Sequence, residues 1–154
     1  MCYNRKDRAQ ERVAHMHDLE RFVTAQAPVI DAVMAELNQA QKRTHWMWFI
    51  FPQLRSLGRS NRARYYGIAD MTEAEAYLAH PVLGPRLQDC TAAAVAGYPK
   101  TAHDIFGSPD DLKFRSCCTL FVHTADAPEV FGRALDLFYG APDPETLRLL
   151  AGTP

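Results

Sequence analysis

The sequence has few of the features that mark several common classes of protein. Its four cysteines include no C-x-x-C pair, so neither a zinc knuckle nor a redox pair is indicated. The thiols are therefore expected to be reduced core residues, which is typical of cytoplasmic proteins. The N-terminus lacks the apolar core of a signal peptide, and no apolar run approaches the roughly 20 residues that span a bilayer. We expect a cytoplasmic protein without a membrane segment.

Motifs for metal ions and for nucleotide phosphates are missing as well. No His-x-x-x-His pair and no cluster of carboxylates at ligand spacing occurs, so no metal site is predicted. Neither Gly-x-Gly-x-x-Gly nor a phosphate-loop motif is present, and we predict no cofactor. A net charge of −1 gives no general attraction to nucleic acid or to an anionic membrane. Bulk nucleic-acid binding is therefore not expected, and the pattern leaves the oligomeric state open.

The composition that is present suits one globular domain. Apolar residues make up 47% of the 154 residues and charged residues 23%, both ordinary values for a globular protein, and the length fits a single domain. Residues 1–17 are polar and unpatterned, and we interpret them as a flexible leader. Residues 18–154 are interpreted as a single helical domain.

Apolar periodicity predicts helices through most of that domain. Spacings of three, four and seven residues predict a helix from Asp18 to about Gln26 and another from Pro28 to Lys42. Start and stop signals predict the remaining helices. These are Asn61–Ile68, Glu73–Ala79, Pro81–Ala96, Thr101–Gly107, Pro109–His123, one from Pro128 to Gly140, and one begun by Asp143. The helix from Glu73 follows a Thr72 capping box, the helix from Pro81 ends before a left-handed Gly97, and the helix from Pro109 is capped by Ser108 with Leu112 facing inward. The predicted fold is all-α, a compact multihelical bundle of short helices with turns marked by proline and glycine.

The densest feature is the run 44–53, THWMWFIFPQ, which holds both tryptophans and two of the eight phenylalanines. A run so apolar must be buried or must line a pocket. Thr44 is suited to cap a helix that begins at His45. A buried strand is the alternative, since aromatic residues favour strands, but no second strand exists to pair with it. The polar ends, His45 and Gln53, are either satisfied core groups or part of a site.

This run resembles the bacterial family known as domain of unknown function eighteen-ten. Other matching segments are Leu57–Ser60, Tyr66–Ile68, Glu73–Gly84, Ile105–Gly107, Asp111–Lys113 and Thr119–Phe121. The resemblance covers about Phe22 to Leu150 and implies an all-α fold. Ala40 stands where the family usually has glycine, and Cys117 and Cys118 replace the more usual serine and methionine. Some members are labelled calpastatin-like, a label that nothing in this chain supports.

The order of elements is also similar, more distantly, to that of the NADAR family, which acts on ADP-ribosyl adducts. The shared features are an aromatic run with nearby polar groups, a Pro-x-Leu helix start at Pro81, and an aspartate followed by an aromatic-glycine pair at Asp104, Phe106 and Gly107. This likeness implies a ligand of the ADP-ribose class.

Three side chains are candidates for acid-base catalysis. His45 has a side chain suited to exchange protons near neutral pH, and a carboxylate from Glu73 or Asp111 is a candidate partner or acid. Each has a structural alternative: a histidine at a helix start that bonds the backbone, and two acids that stabilise helix N-termini.

Seven further side chains are candidates for ligand binding. Trp46 and Trp48 are suited to stack a nucleobase, although dense aromatic runs are more often core. The Gln53 amide offers a donor and an acceptor to a base edge, or else stabilises a turn. Ser60 and Tyr66, with the arginines near them, are suited to phosphate.

His80 and Lys113 complete the set of candidate ligand-binding residues. His80 lies at a helix C-terminus, where the dipole alone favours it. Lys113 lies in the first turn of a helix, against the dipole, so that Asp110, Asp111, Glu73 or a ligand anion should compensate it.

Two functional hypotheses follow from these candidates. The first is a small-molecule pocket for a nucleotide or ADP-ribose-like ligand, with hydrolysis of an N-glycosidic bond. The second is a non-enzymatic module that uses the aromatic run to anchor a partner protein or a second copy of the chain.

Overall fold

The computed structural model of the protein describes residues 18–152, which form ten α-helices and no β-sheet. In chain order the helices are α1 Glu20–Gln26, α2 Ile30–Asn38, α3 Met47–Ile50, α4 Asn61–Tyr65, α5 Met71–Ala79, α6 Leu83–Val95, α7 Ala102–Phe106, α8 Asp110–Val122, α9 Glu129–Phe138 and α10 Pro144–Ala151. A short 3₁₀ helix, Arg55–Leu57, lies between α3 and α4. The predicted all-α fold is confirmed, and the predicted leader, 1–17, lies outside the described residues.

Helices α6 and α8 are the centre of the bundle. Helix α9 packs against both, α2 and α5 pack against α6, and α5, α7 and α10 pack against α8. Helix α8 is buried on most of its circumference, as expected for a core helix. Its fully buried side chains are Phe114, Cys117, Cys118, Thr119, Leu120 and Phe121. Leu112, predicted to face inward, is instead 56% exposed, because it precedes the point at which α8 enters the core.

The aromatic run is mostly core. Trp46, Met47, Ile50 and Phe51 are all buried, and the Phe51 ring makes an edge contact with Phe114 at a centroid distance of 4.9 Å. The helical prediction for the run is confirmed by α3, but Thr44 is not its cap. The Thr44 hydroxyl bonds Glu36 at 2.6 Å, and the helix begins only at Met47.

Two predicted helices end earlier than their apolar pattern indicated. Helix α2 stops at Asn38 rather than Lys42, because Ala40 has a left-handed φ of 54° and the Lys42 amide donates to Ile105 at 2.7 Å. Helix α4 stops at Tyr65 rather than Ile68. Its predicted last residue forms a bridge with a distant segment instead.

Two further predicted capping residues, besides Thr44, are wrong. Asp70, not Thr72, caps α5, and its carboxylate accepts from the Glu73 amide at 2.9 Å. Ser108 does not cap α8, whose N-cap is Pro109 without a side-chain hydrogen bond. In each case the helix begins at a different residue from the one that the local pattern favoured.

The predictions for the other helix ends are mixed. Helix α6 begins at Leu83 rather than Pro81, and Gly97 is not in the left-handed region, whereas Gly107 and Gly140 are. Thr101, predicted to begin a helix, is the N-cap of α7. Asp143, predicted to begin the last helix, is the N-cap of α10, and its carboxylate accepts from the Thr146 amide at 3.1 Å.

Candidate functional site

A cleft of about 550 Å³ opens between segment 53–63 and the first turns of α8 and α10. Ligand pockets typically enclose roughly 300–1,000 Å³, so the cleft is large enough for a small molecule. Its wall is formed by Gln53, Leu57, Gly58, Arg59, Ser60, Ala63, Pro109, Leu112, Lys113, Ser116, Asp143 and Glu145.

A narrow recess adjoins the cleft on the side of the aromatic run. It encloses about 10 Å³, about the space of one water molecule, and its wall is Met47, Trp48, Phe51, Gln53, Ala63, Tyr66 and Lys113. Gln53, Ala63 and Lys113 belong to both walls. The two spaces therefore meet at these three side chains.

The backbone at the junction is fixed by an isolated parallel bridge between Leu54 and Ile68. The Ile68 amide donates to the Gln53 carbonyl at 2.9 Å, and the Arg55 amide donates to the Ile68 carbonyl at 2.8 Å. Only glycine fits at position 67, since a Cβ there would lie 2.4 Å from the Arg55 Cα. The main chain of Gln53 is thus held, whereas no hydrogen bond of its side-chain amide is seen within residues 18–152.

Ser60 has a structural role at the same wall. Its hydroxyl oxygen accepts from the Ala63 amide at 3.1 Å and caps α4, as an N-cap serine does. A hydroxyl that accepts in this way retains its proton for a second partner. Ser60 therefore presents a hydrogen-bond donor to the cleft.

The two tryptophans have opposite environments. Trp46 is 1% exposed and its indole N–H donates to Glu36 at 3.3 Å. Trp48 is half-buried at the recess, with the Arg62 guanidinium 5.0 Å and the Lys113 ammonium 5.6 Å from its ring centroid. Cations at these distances are attracted by the indole face. Trp48 is therefore the tryptophan placed to meet a ligand, and Trp46 is core.

Lys113 carries the charge at the junction. Its ammonium lies 3.7 Å from an Asp110 carboxylate oxygen, while Lys42 approaches the other oxygen of that carboxylate to 2.9 Å. Asp110 is thus the compensating acid that the position of Lys113 against the helix dipole predicted. One carboxylate shared by two cations leaves a net positive charge beside the recess.

The far wall of the cleft carries two carboxylates that are already engaged. Asp143 accepts from the Ser116 hydroxyl at 3.0 Å and from the Thr146 amide at 3.1 Å. Glu145 pairs with Arg148 three residues later, and the hydrogen bond from that guanidinium lowers the pKa of the Glu145 carboxyl. Both acids serve the start of α10, so neither is set up as a proton donor.

The structure brings five of the predicted site residues together: Trp48, Gln53, Ser60, Tyr66 and Lys113. His45 and Trp46 are not on the walls of either space. His45 is exposed at the surface before α3, and Trp46 points into the core.

Glu73, Asp111 and His80 also lie apart from the cleft wall, each in a structural setting. Glu73 is buried and accepts from Arg21 at 3.1 Å. Asp111 accepts from the Leu112 amide at 2.9 Å and lies 3.6 Å from the His103 imidazole. The His80 ring nitrogen accepts from the amides of Val82 and Leu83 at 3.1 and 3.3 Å and so stabilises the start of α6.

Among the residues of the cleft wall that the sequence did not indicate as site residues are Leu112, Ser116, Asp143 and Glu145. Leu112 was assigned to the core on its apolar character, and Asp143 to a helix start, which it also is. The only signal for this wall is three-dimensional, because α10 reaches the cleft by packing against α8.

Within residues 18–152 no group of three or more acids, histidines and cysteines is placed to hold a metal ion. None of the helices in that part of the chain has the length and apolar character needed to cross a membrane.

The family and the solved structure that match this chain are both described without an activity. A conserved hypothetical protein, Rv1873 from Mycobacterium tuberculosis, has a crystal structure that superposes with a TM-score of 0.87 and 50% sequence identity, over 89% of this chain and 99% of that one. No curated protein matches the sequence. The family model described as "Protein of unknown function (DUF1810)" matches residues 16–150, as the resemblance of the aromatic run predicted. The chain therefore belongs to this family.

Proposed function

We propose that the cleft binds a nucleotide or ADP-ribose-like ligand, with its phosphate beside Lys113 and its base beside Trp48. The observation that carries the proposal is the position of Lys113 on both walls, 5.6 Å from the indole of Trp48. An aromatic face next to a cation is the pairing that a base joined to a phosphate requires. Base stacking on an aromatic ring contributes roughly 1–3 kcal/mol.

The remaining polar groups of the wall suit such a ligand. Arg59 lies at the cleft without an acidic partner in the described part of the chain, and Ser60 presents a hydroxyl donor. Guanidinium and hydroxyl donors fit phosphate oxygens. The Gln53 amide, at the junction, has a donor and an acceptor for the edge of a base.

Hydrolysis of an N-glycosidic bond, the second part of the sequence hypothesis, has weaker support. A general acid needs to reach the leaving group, and the cleft acids Asp143 and Glu145 are engaged at the start of α10. His45, Glu73 and Asp111 are not on the wall. The geometry supports binding better than catalysis.

The proposal is tested by ligand-dependent stabilisation. ADP-ribose, NAD and ADP are each added at millimolar concentration to the full chain, and the melting temperature is followed. A ligand at a hundredfold excess over its Kd stabilises by about 2.7 kcal/mol, a readily measured shift. Lys113→Ala should reduce the shift, while Arg133→Ala, which removes an exposed charge on α9, should leave it unchanged.

Two further measurements separate the alternatives. Incubation with NAD followed by chromatography for free nicotinamide tests hydrolysis directly. No stabilisation by any of the three ligands would contradict the proposal. Together with a concentration-dependent dimer in gel filtration, that result would favour the alternative in which the aromatic run, through its half-buried Trp48 and Phe49, anchors a protein partner.

A further inference from the structure

The face of Trp48 that a base would use is already occupied. Arg62 and Lys113 both lie over the indole, 5.0 and 5.6 Å from its centroid. The recess beside it encloses about 10 Å³, room for about one water molecule. A nucleobase is several times larger, so it reaches the indole only after at least one of these cations has moved.

Both cations are held loosely. Arg62 is exposed and has no carboxylate partner within residues 18–152. Lys113 lies 3.7 Å from Asp110, a longer contact than the 2.9 Å between that carboxylate and Lys42. The carboxylate that opposes the transfer of Lys113 to a ligand anion is Asp110, and Lys113 shares it with Lys42.

The surrounding segment reinforces this positive charge. Residues 37–69 contain six lysines and arginines and no aspartate or glutamate, although the whole chain has a net charge of −1. The cleft of about 550 Å³ next to the recess has ample room for a phosphate. An anion entering there attracts Lys113 and Arg62 toward the cleft and away from the indole, because a charge-assisted hydrogen bond to phosphate is stronger than a contact with an aromatic face.

From this arrangement we propose that Arg62 and Lys113 determine specificity by coupling the two halves of the ligand. Phosphate binding moves the cations off Trp48 and opens the ring to the base, so the site accepts nucleotides and rejects the corresponding nucleosides. This inference rests on the proposed function and adds to it a preference of the site for nucleotides over nucleosides. The phosphate is required for the base to stack on Trp48, and its role is not limited to extra affinity. A nucleoside must displace at least one of these cations without giving it a new partner.

A crossed pattern of affinities tests the coupling. Isothermal titration should show wild-type protein binding ADP and not adenosine. In Lys113→Ala the affinity for ADP should fall by roughly tenfold, the loss expected for one charge-assisted contact, while adenosine binding becomes measurable because the ring is freed. Arg62→Ala should likewise weaken ADP binding and make adenosine binding measurable, and Arg133→Ala should match the wild type. A variant that merely disturbed the fold would weaken ADP binding without making adenosine binding measurable.

A second readout uses inorganic pyrophosphate alone. Trp46 is 1% exposed, so acrylamide quenching of tryptophan emission reports mainly Trp48, and Trp48→Phe supplies the background. Pyrophosphate at millimolar concentration should increase the quenching of wild-type protein, and the double variant R62A/K113A should be quenched strongly with or without it.

The outcomes distinguish this inference from the proposed function. Equal affinity of wild-type protein for ADP and adenosine, weaker ADP binding in Lys113→Ala with no gain of adenosine binding, or quenching that pyrophosphate leaves unchanged would each overturn the coupling while leaving nucleotide binding intact. Absence of binding by ADP, ADP-ribose and NAD would overturn both.

Discussion

The indole N–H of Trp46 donates to the carboxylate of Glu36 at 3.3 Å, and this carboxylate organises the whole approach to the aromatic run. The backbone amide of Arg43 also donates to it, as do the amide and the hydroxyl of Thr44, at 2.8 and 2.6 Å. Glu36 is 7% exposed. Four donors converge on one buried acid from a segment that has no regular structure, so the acid replaces the hydrogen bonds that a helix would provide.

Glu36→Gln should therefore destabilise the protein by about 2 kcal/mol. The amide keeps one acceptor oxygen for the backbone donors, but its nitrogen cannot accept from the Thr44 hydroxyl, and a hydrogen bond to a charged group contributes roughly 1.5–3 kcal/mol. Urea denaturation measures the change. Asp89→Asn, at an exposed position of α6, is the control that removes a carboxylate without these partners. A Glu36→Gln variant as stable as the control would contradict the role of the carboxylate.

The same network predicts a pH dependence. Burial tends to raise the pKa of Glu36, but the hydrogen bonds from Thr44, Arg43 and Trp46 outweigh it, and the pKa lies below its ordinary value of 4.5. A carboxyl with a lowered native pKa contributes stability that is fully present above its unfolded pKa and is lost as the pH falls through the native one.

The difference in unfolding free energy between wild type and Glu36→Gln should accordingly be constant near neutral pH and shrink below pH 4.5. Urea denaturation at a series of pH values checks this. A difference that stays constant down to pH 3 would show that Glu36 does not titrate in this window.

Sequence patterns correctly predicted those helix starts that depend only on neighbouring residues. Thr101 and Asp143 were predicted to begin helices, and they are the N-caps of α7 and α10, because a helix start of this kind depends on residues three positions apart. The aromatic run was predicted as a helix with polar ends, and one of those ends, Gln53, does reach the cleft.

The errors have a common physical origin in contacts between distant segments. Thr44 was a reasonable cap, but Glu36, eight residues earlier, offers its hydroxyl a buried acceptor. Ile68 continued an apolar pattern, yet its backbone pairs across fourteen residues with Leu54. Neither the Glu36 carboxylate nor the Leu54 backbone lies within one helical turn of its partner, so local sequence patterns do not reveal these contacts. The cleft wall could therefore be predicted only in part.

Ala40→Gly should stabilise the protein by about 0.5–1 kcal/mol. Ala40 has a φ of 54°, and the left-handed region costs an L-residue roughly 1–2 kcal/mol that glycine avoids. The greater freedom of glycine in the unfolded chain offsets about half of this gain.

Thermal and urea denaturation of Ala40→Gly measure the gain. Ala96→Gly is the matched control, because Ala96 is also an alanine just beyond a helix but has a φ of −63°. The control should lose stability. Loss of stability in both variants would mean that the left-handed backbone at position 40 carries no strain.

Gly67→Ala should disrupt both the fold and the cleft. A Cβ at position 67 would lie 2.4 Å from the Arg55 Cα, so the backbone must move apart and break the bridge that holds Gln53, at a cost of about 2–3 kcal/mol. Gly132 lies in α9, and a Cβ there would have its nearest neighbour outside that helix, on Val122, at 3.6 Å. Gly132→Ala should instead raise the free energy of unfolding by about 0.5–1 kcal/mol, because alanine favours a helix more than glycine does. Urea denaturation and ADP titration of both variants should show lower stability and weaker binding for the first alone. Equal ligand affinity in the two would mean that the Leu54–Ile68 bridge does not position the cleft wall.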